Sequence, residues 1–158
     1  MGKKRIFGLA AVAAVCAAGL VGANFASADF QSAPAIGAKV PAFDLKDYEG
    51  NAHKLSDFEG KIVVMSFTSQ RCPVSRGEEK DYVGLAEKYA GDDVVFLSID
   101  SAEDNSIEDI AAYANATWVE GDMKNETGEK LPYPILKDDG NVYADQMGAK
   151  RTPEVYIG

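Results

Sequence analysis

The chain has 158 residues and a formal net charge of −9, with 25 Asp and Glu residues against 16 Lys and Arg residues. This acidic balance argues against nucleic-acid binding, because contact with a phosphate backbone depends on concentrated Lys and Arg. High negative charge mainly serves solubility. Beyond the first 28 residues, no segment is apolar for long enough to cross a bilayer as a helix of about 20 residues.

Residues 1–28 have the pattern of a secretory signal peptide. Three basic residues precede an apolar stretch from Ile6 to Val21, and residues 26–28 form an A-x-A cleavage pattern. Cleavage after Ala28 removes three positive charges and changes the net charge from −9 to −12. We therefore expect an exported protein, periplasmic or secreted, with one compact domain over residues 29–158. An uncleaved membrane anchor is the alternative.

Residues 37–61 contain short, interrupted patterns. Apolar residues alternate toward Phe43 and Leu45, and residues 47–51 and 59–60 have the composition of turns. The single histidine, His53, lies between these turns. We expect a solvated loop position for it rather than a role as a base or a metal ligand.

Hydrophobic patterns beyond residue 61 predict strands that alternate with helices. Ile62–Phe67 and Val94–Ile99 are continuous apolar runs, which are typical of strands buried on both faces. Ser106 with Asp109 forms a capping-box pattern at the start of a helix. The other predicted elements are helices at 78–89 and 141–147 and strands at 133–136 and 154–157. The predicted apolar helix faces are Tyr82, Leu85, Ala86 and Tyr89, then Ile107, Ile110, Ala111 and Ala114, then Val142, Tyr143 and Met147.

The order of these elements indicates an α/β fold. Two buried strands joined by a helix favour parallel pairing through a right-handed crossover, with helices on both faces of the sheet. Residues 117–130 are polar and contain glycine, which predicts a loop with Trp118 packed onto the domain.

Cysteine usage is informative about chemistry. The chain has two cysteines, and signal cleavage would remove Cys16 and leave Cys72 alone. A lone cysteine in an exported protein is reactive or paired with another molecule, and the alternative is a buried cysteine that acts as a small hydrophobe. One mature cysteine and one histidine cannot make a zinc-type ligand cluster, so we expect neither a metal nor a cofactor.

Cys72 lies where a strand meets a helix. The apolar run that ends at Phe67 leads through small polar residues into Cys72-Pro73. Backbone N–H groups and the helix dipole favour an anion at such a position, here a thiolate. Proline suits the start of a helix because its missing N–H would have no partner there. Arg71 and Arg76 also favour the thiolate, so we predict a lowered pKa for Cys72.

Several short motifs occur in a fixed order along the chain. They are Gly37-x-x-x-Pro41-x-Phe43-x-Leu45, Tyr48-Glu-Gly50, Leu55-Ser-Asp-Phe-x-Gly-Lys61, Val63-Val64, Cys72-Pro73 and Ala149-Lys-Arg-Thr-Pro153. The set resembles the thioredoxin superfamily, specifically the exported redoxin and thiol-specific-antioxidant (peroxiredoxin-like) branch, over Ile36 to Gly158. The resemblance implies a three-layer α/β/α sandwich with a central mixed sheet, in which the family's C-terminal strand and closing helix are missing after Gly158. An apolar sheet face would then be exposed or covered by a partner.

The resemblance also implies roles for individual residues. Cys72 would be the nucleophilic or peroxidatic cysteine, Ser69 would assist peroxide binding, and Arg151 would help to polarise the peroxide. Four further residues would support the active site, and the last of them would form the cis peptide bond that lies beside the cysteine in thioredoxin-like folds. These are Pro73, Ser75, Thr152 and Pro153.

Two positions depart from the family pattern. Ser75 stands where the dithiol branch has the second cysteine of Cys-x-x-Cys, and Met65 stands where peroxiredoxins have a proline. Without a second mature cysteine, an external thiol must complete any cycle at Cys72. We therefore expect a thiol-dependent oxidoreductase that acts on a disulfide-bearing protein or a small peroxide. A non-catalytic thioredoxin-fold binding module is the alternative, and metal carriage is disfavoured by the shortage of soft ligands.

Overall fold

A computed structural model describes residues 32–117 and 124–158. The predicted signal peptide, Cys16 and Trp118 lie outside these residues. The described part of the chain contains six strands, three α-helices and two short 3-10 helices, the latter at Leu55–Phe58 and Asp139–Asn141. The strands are β1 (Asp44–Asp47), β2 (Ala52–Lys54), β3 (Ile62–Thr68), β4 (Val94–Asp100), β5 (Ile135–Lys137) and β6 (Glu154–Ile157). The helices are α1 (Pro73–Lys88), α2 (Ile107–Ala114) and α3 (Val142–Met147).

The strands form one mixed sheet in the order β2-β1-β5-β4-β3-β6. β4 pairs in parallel with both β3 and β5, which confirms the predicted parallel core. β6 is antiparallel to β3, and β1 is antiparallel to β2 and β5. The steps from β3 to β4 and from β4 to β5 run in the same direction across the sheet. Right-handed crossovers therefore place α1 and α2 on the same face.

The sheet is covered on both faces, as the continuous apolar strands predict. Val63, Met65 and Phe67 of β3 pack with α3 in one core. Phe96 of β4 and Ile135 of β5 pack against α1 and α2 in the second core. The three layers predicted from the resemblance are therefore confirmed.

All three helix faces differ in part from the sequence prediction. On α1, Glu79 and Val83 are buried, whereas Leu85 and Tyr89 are exposed. Ser106 caps α2 as predicted and accepts a hydrogen bond from the Asp109 amide at 3.1 Å. On α2, Ile107 of the predicted apolar face is exposed, whereas Tyr113, which was not part of that face, is buried. On α3, Val142 is exposed, whereas Tyr143 and Met147 are buried as predicted.

His53 lies in a strand rather than in a solvated loop. It belongs to β2, pairs with Leu45 of β1, and its ring Nε2 is 2.9 Å from Oδ2 of Asp47. Its side chain is only 22% exposed. His53 can be largely buried because its interaction with the buried Asp47 carboxylate compensates the imidazole for lost water contacts.

One part of the α1 face of the sheet is open. A groove of about 700 Å³ lies between α1 and the β3–β6 edge. It is bordered by exposed apolar side chains from both sides, including Leu85 of α1, Ile62 of β3 and Val155 and Ile157 of β6. An exposed apolar face, which the resemblance implied, is therefore present.

Candidate active site

The turn that presents Cys72 follows directly from the end of β3. The Cys72 amide donates to the Ser69 carbonyl at 3.0 Å, which closes the turn, and the Arg76 amide donates to the Cys72 carbonyl at 3.1 Å, which begins α1. Cys72 has extended backbone angles, φ −83° and ψ 117°, and is the N-cap residue. Pro73 occupies the first helical position, where its missing N–H costs nothing. α1 therefore begins five residues before the predicted start at Glu78.

A second segment brings Thr152 to the same place. The Thr152–Pro153 peptide bond is cis, as the resemblance implied, and it leads into β6 beside β3. The Cys72 Sγ donates to the Thr152 carbonyl at 3.2 Å when the thiol is protonated. The pairing of β6 with β3 thus brings together Cys72 and Thr152, which are 80 positions apart in the chain.

The surroundings of the sulfur favour the thiolate. An interaction with the Thr152 side chain makes the largest contribution to lowering the pKa of the Cys72 thiol, to about 7, and the Ser75 and Val74 amides contribute at the helix start. Together they outweigh the bond to the Thr152 carbonyl, which only the protonated thiol can donate. The buried Ser75 hydroxyl, which lacks an oxygen or nitrogen partner within residues 32–117 and 124–158, lowers the pKa further. Slight burial of the sulfur opposes these effects. About half of the molecules therefore carry a thiolate at pH 7.

The two arginines beside Cys72 differ from the sequence expectation. Arg71 donates from Nε to Asn105 at 2.9 Å and from Nη2 to Asp109 at 3.3 Å. Arg76 donates from Nη2 to Glu126 at 2.5 Å. Both guanidinium groups are thus committed to side chains other than the thiolate. The lowered pKa of Cys72 comes instead from Thr152 and from the first turn of α1.

A cleft of about 540 Å³ opens beside the cysteine. Ser69, Arg151 and Thr152 line it together with Cys72, so the structure brings four of the predicted site residues to one cavity. Cys72 is partly exposed, Ser69 is buried and Arg151 is exposed. The other three predicted residues flank the cleft: Pro73 opens α1, and Ser75 and Pro153 line the adjacent apolar groove.

Two buried residues near the cleft were missed by the sequence reasoning. Asn105 and Asp100 are 2% and 1% exposed, and Asn105 bonds to both Ser69 and Arg71. A usable signal existed, because Asp100 directly follows an apolar run and the carboxyl ends of neighbouring parallel strands meet at one edge of a sheet. Among the described residues, no three His, Cys, Asp or Glu side chains are grouped so that they could hold a metal ion. None of the described helices is both long and apolar enough to span a membrane.

Comparisons with known proteins point to one family. The sequence profile of the AhpC/TSA family matches residues 36–157. A chloroplastic peroxiredoxin Q of Sedum lineare is 33% identical over 121 residues, which cover 71% of this chain and 53% of that protein. A 1-Cys peroxiredoxin of Dirofilaria immitis is 31% identical over 120 residues, which cover 72% of this chain and 51% of that protein. The chain thus spans about half the length of these relatives.

A solved structure extends the comparison to the fold. The exposed lipoprotein thioredoxin of Streptococcus pneumoniae strain TIGR4 matches with a TM-score of 0.54 at 24% identity. The match covers 74% of this chain and 80% of that one. At this identity the likeness shows the thioredoxin fold alone.

Proposed function

The chain belongs to the AhpC/TSA family, and we propose that it is an exported one-thiol redoxin in which Cys72 reduces a peroxide or exchanges with a disulfide. The observation that carries this proposal is the placement of the Cys72 sulfur at the start of α1, in an open cleft, with its pKa lowered to about 7. A thiolate at neutral pH is the form that attacks oxygen and sulfur electrophiles. The coarser conclusion, a thioredoxin-like redox protein, follows from the family alone.

The peroxide reaction is a two-electron transfer at sulfur. The Cys72 thiolate attacks the terminal oxygen of a hydroperoxide, so that an S–O bond forms and the O–O bond breaks. The departing oxygen takes a proton and leaves as water or an alcohol, and the sulfur becomes a sulfenic acid. An external thiol then displaces water to form a mixed disulfide, and a second thiol releases the Cys72 thiolate together with an external disulfide.

The disulfide reaction uses the same sulfur without a change in total oxidation state. The Cys72 thiolate attacks one sulfur of a partner's disulfide, which forms a mixed disulfide and releases a thiolate from the partner. Ser75 cannot resolve this intermediate, because it offers a hydroxyl where a dithiol protein has a thiol. An external thiol therefore resolves it, so the proposed partners are a thiol reductant and a disulfide-bearing protein.

Residues around the cleft supply polar groups for the attack. Ser69 and Arg151 border the cleft in which an oxygen of the peroxide would lie. The Arg151 cation would stabilise negative charge on the leaving oxygen, and the Ser69 hydroxyl would hydrogen-bond to the peroxide. Thr152 would hold the thiolate beside the cis Pro153.

Export is part of the proposal. The basic, apolar and A-x-A sequence of residues 1–28 supports it, with cleavage after Ala28. The mature chain would then carry one cysteine over residues 29–158. Because exported compartments are commonly oxidising, a reductive role there requires a dedicated thiol donor.

A non-catalytic binding module is the second candidate. The open apolar groove between α1 and the β3–β6 edge favours it, because exposed apolar surface of this kind serves association. This candidate requires no chemistry at Cys72.

Catalysis by Cys72 separates the two candidates. Hydrogen peroxide consumption and insulin reduction are measured with dithiothreitol as the thiol donor, for the wild-type chain and for Cys72→Ser. We expect at least one activity in the wild type and its complete loss in the variant, with circular dichroism unchanged. Equal rates in the two proteins would remove the enzymatic proposal and leave the binding module.

A further inference from the structure

A buried set of polar side chains lies behind the Cys72 turn and has no role in the chemistry described above. It consists of Asp100, at the end of β4, and Asn105, in the loop before α2, which are 1% and 2% exposed. Buried polar groups cost free energy unless their hydrogen bonds are made. Their contacts therefore show what this arrangement stabilises.

Every polar atom of the Asn105 side chain has a partner. Nδ2 donates to Asp100 Oδ2 at 2.6 Å and to Ser69 Oγ at 3.2 Å, and Oδ1 accepts from Arg71 Nε at 2.9 Å. A carboxylate can only accept and a guanidinium can only donate, so these two partners fix the orientation of the amide. Asn105 therefore must present a donor to Ser69.

The second acceptor site of Ser69 is also filled. Its Oγ accepts from the Arg71 amide at 3.2 Å, in addition to the Asn105 amide. A hydroxyl has two acceptor lone pairs and one hydrogen. With both lone pairs engaged, the remaining capacity of Ser69 is to donate its hydrogen, and Ser69 borders the Cys72 cleft.

Asp100 holds Asn105 in this orientation. Besides Asn105, its carboxylate accepts from the Ala102 amide at 3.0 Å and lies 3.7 Å from the Lys137 ammonium. Lys137 is itself fixed to the Ala102 carbonyl at 2.5 Å. These contacts lie outside the Cys72 turn, so the Asp100 carboxylate keeps its position independently of that turn and can fix the position of the Asn105 amide.

We propose that Asn105, held by Asp100, is a positioning residue that makes the Ser69 hydroxyl a hydrogen-bond donor toward the oxygen attacked by Cys72. The proposal rests on the peroxide reaction in the proposed function. Asn105 does not touch the reacting atoms and acts through Ser69. Its effect is therefore confined to reactions in which an oxygen lies in the cleft, and alkylation of the same thiolate does not depend on it.

The test compares two reactions of one sulfur. The second-order rate of Cys72 oxidation by hydrogen peroxide and its rate of alkylation by iodoacetamide are measured at pH 9, in the wild type, Asn105→Leu, Ser69→Ala and the double variant. We expect each single variant to lose about tenfold in oxidation, as for one hydrogen bond lost from the transition state. The double variant loses no more than either single variant, and alkylation stays within about twofold of the wild type in all of them.

Two controls separate positioning from folding. Asn115→Ala, on the exposed residue after α2, is expected to keep both rates. Asn105→Ala removes the same donor without adding apolar bulk, so it should match Asn105→Leu in oxidation; it supplies the test if the leucine variant does not fold. Thermal unfolding establishes that each variant is folded.

The outcomes discriminate between this proposal and the proposed function. Additive losses in the double variant, an unchanged oxidation rate in both Asn105 variants, or an equal loss in alkylation would overturn the positioning role while wild-type activity stands. A wild-type thiolate that is alkylated but inert toward peroxide would overturn the peroxide reaction and this proposal together.

Discussion

Thr152→Val removes the group that contributes most to the low pKa of Cys72. The Thr152 side chain is the largest of the interactions that lower this pKa from 9.0 to about 7, so its loss should raise the pKa again. We expect a rise of on the order of one unit, which reduces the thiolate fraction at pH 7 from about a half to about a tenth. Valine keeps the branched shape and removes only the hydroxyl.

The assay is the rate of iodoacetamide alkylation of Cys72 between pH 5 and pH 10, followed by mass spectrometry. Because only the thiolate reacts, the variant should be about fivefold slower than the wild type at pH 7 and equal to it near pH 10. Thr117→Val is the control, since this exposed threonine donates its hydroxyl to the Ala112 carbonyl. A midpoint that stays near pH 7 in Thr152→Val would refute the assignment of the low pKa to the Thr152 hydroxyl.

Three further predictions concern the site and its support. Ser75→Cys is expected to form an internal disulfide with Cys72 on oxidation, seen by peptide mass spectrometry as a link between positions 72 and 75; free thiols at both positions would contradict it. Tyr82→Phe removes a hydroxyl that lies 3.1 and 2.9 Å from carbonyl oxygens of β3 and β4 and should lower the free energy of unfolding in urea by about 1–2 kcal/mol. Asp138→Ala removes the buried carboxylate that accepts from two α3 amides and should lower the free energy of unfolding by about 2–3 kcal/mol. Asp139→Ala, at the exposed neighbour, should lower it by less than about 0.5 kcal/mol. Equal losses in the two variants would refute the stabilisation of α3 by Asp138.

The strands around the site could be predicted because their burial is visible in the sequence. β3 and β4 require apolar residues on both faces, and each run was extended by only one polar residue, Thr68 and Asp100. These two residues pair with each other at the end of the parallel ladder, where the backbone continues the strand after the apolar pattern has stopped. β6 has the predicted bounds, Glu154–Ile157.

The buried face of α1 could not be predicted from apolar spacing. Leu85 and Tyr89 border the open groove, so their exposure depends on what covers this part of the sheet. Glu79 is buried because the Tyr113 hydroxyl and the Glu126 amide both donate to its carboxylate. A charged residue with partners so far along the chain looks like a surface residue in the sequence.

In the candidate site, too, some features could be predicted from the local sequence and others could not. The strand-to-helix turn and its Pro73 predicted a thiolate at Cys72 from local features, and the geometry of the turn agrees with that reading. Thr152 entered only through the resemblance, since local patterns cannot bring together residues 80 positions apart. Arg71 and Arg76 were expected beside the thiolate because they are near it in sequence, but acidic and amide partners on other segments hold both side chains.

Oxidation of Cys72 in the full chain tests the central claim most directly. The protein is treated with one equivalent of hydrogen peroxide in the presence of dimedone, which traps sulfenic acid, and the modified residue is identified by peptide mass spectrometry. We predict a dimedone adduct on Cys72, absent from Cys72→Ser, and recovery of the free thiol by dithiothreitol when dimedone is omitted. A Cys72 that remains a thiol under these conditions, and that also forms no mixed disulfide with a disulfide substrate, would contradict a one-thiol redox centre.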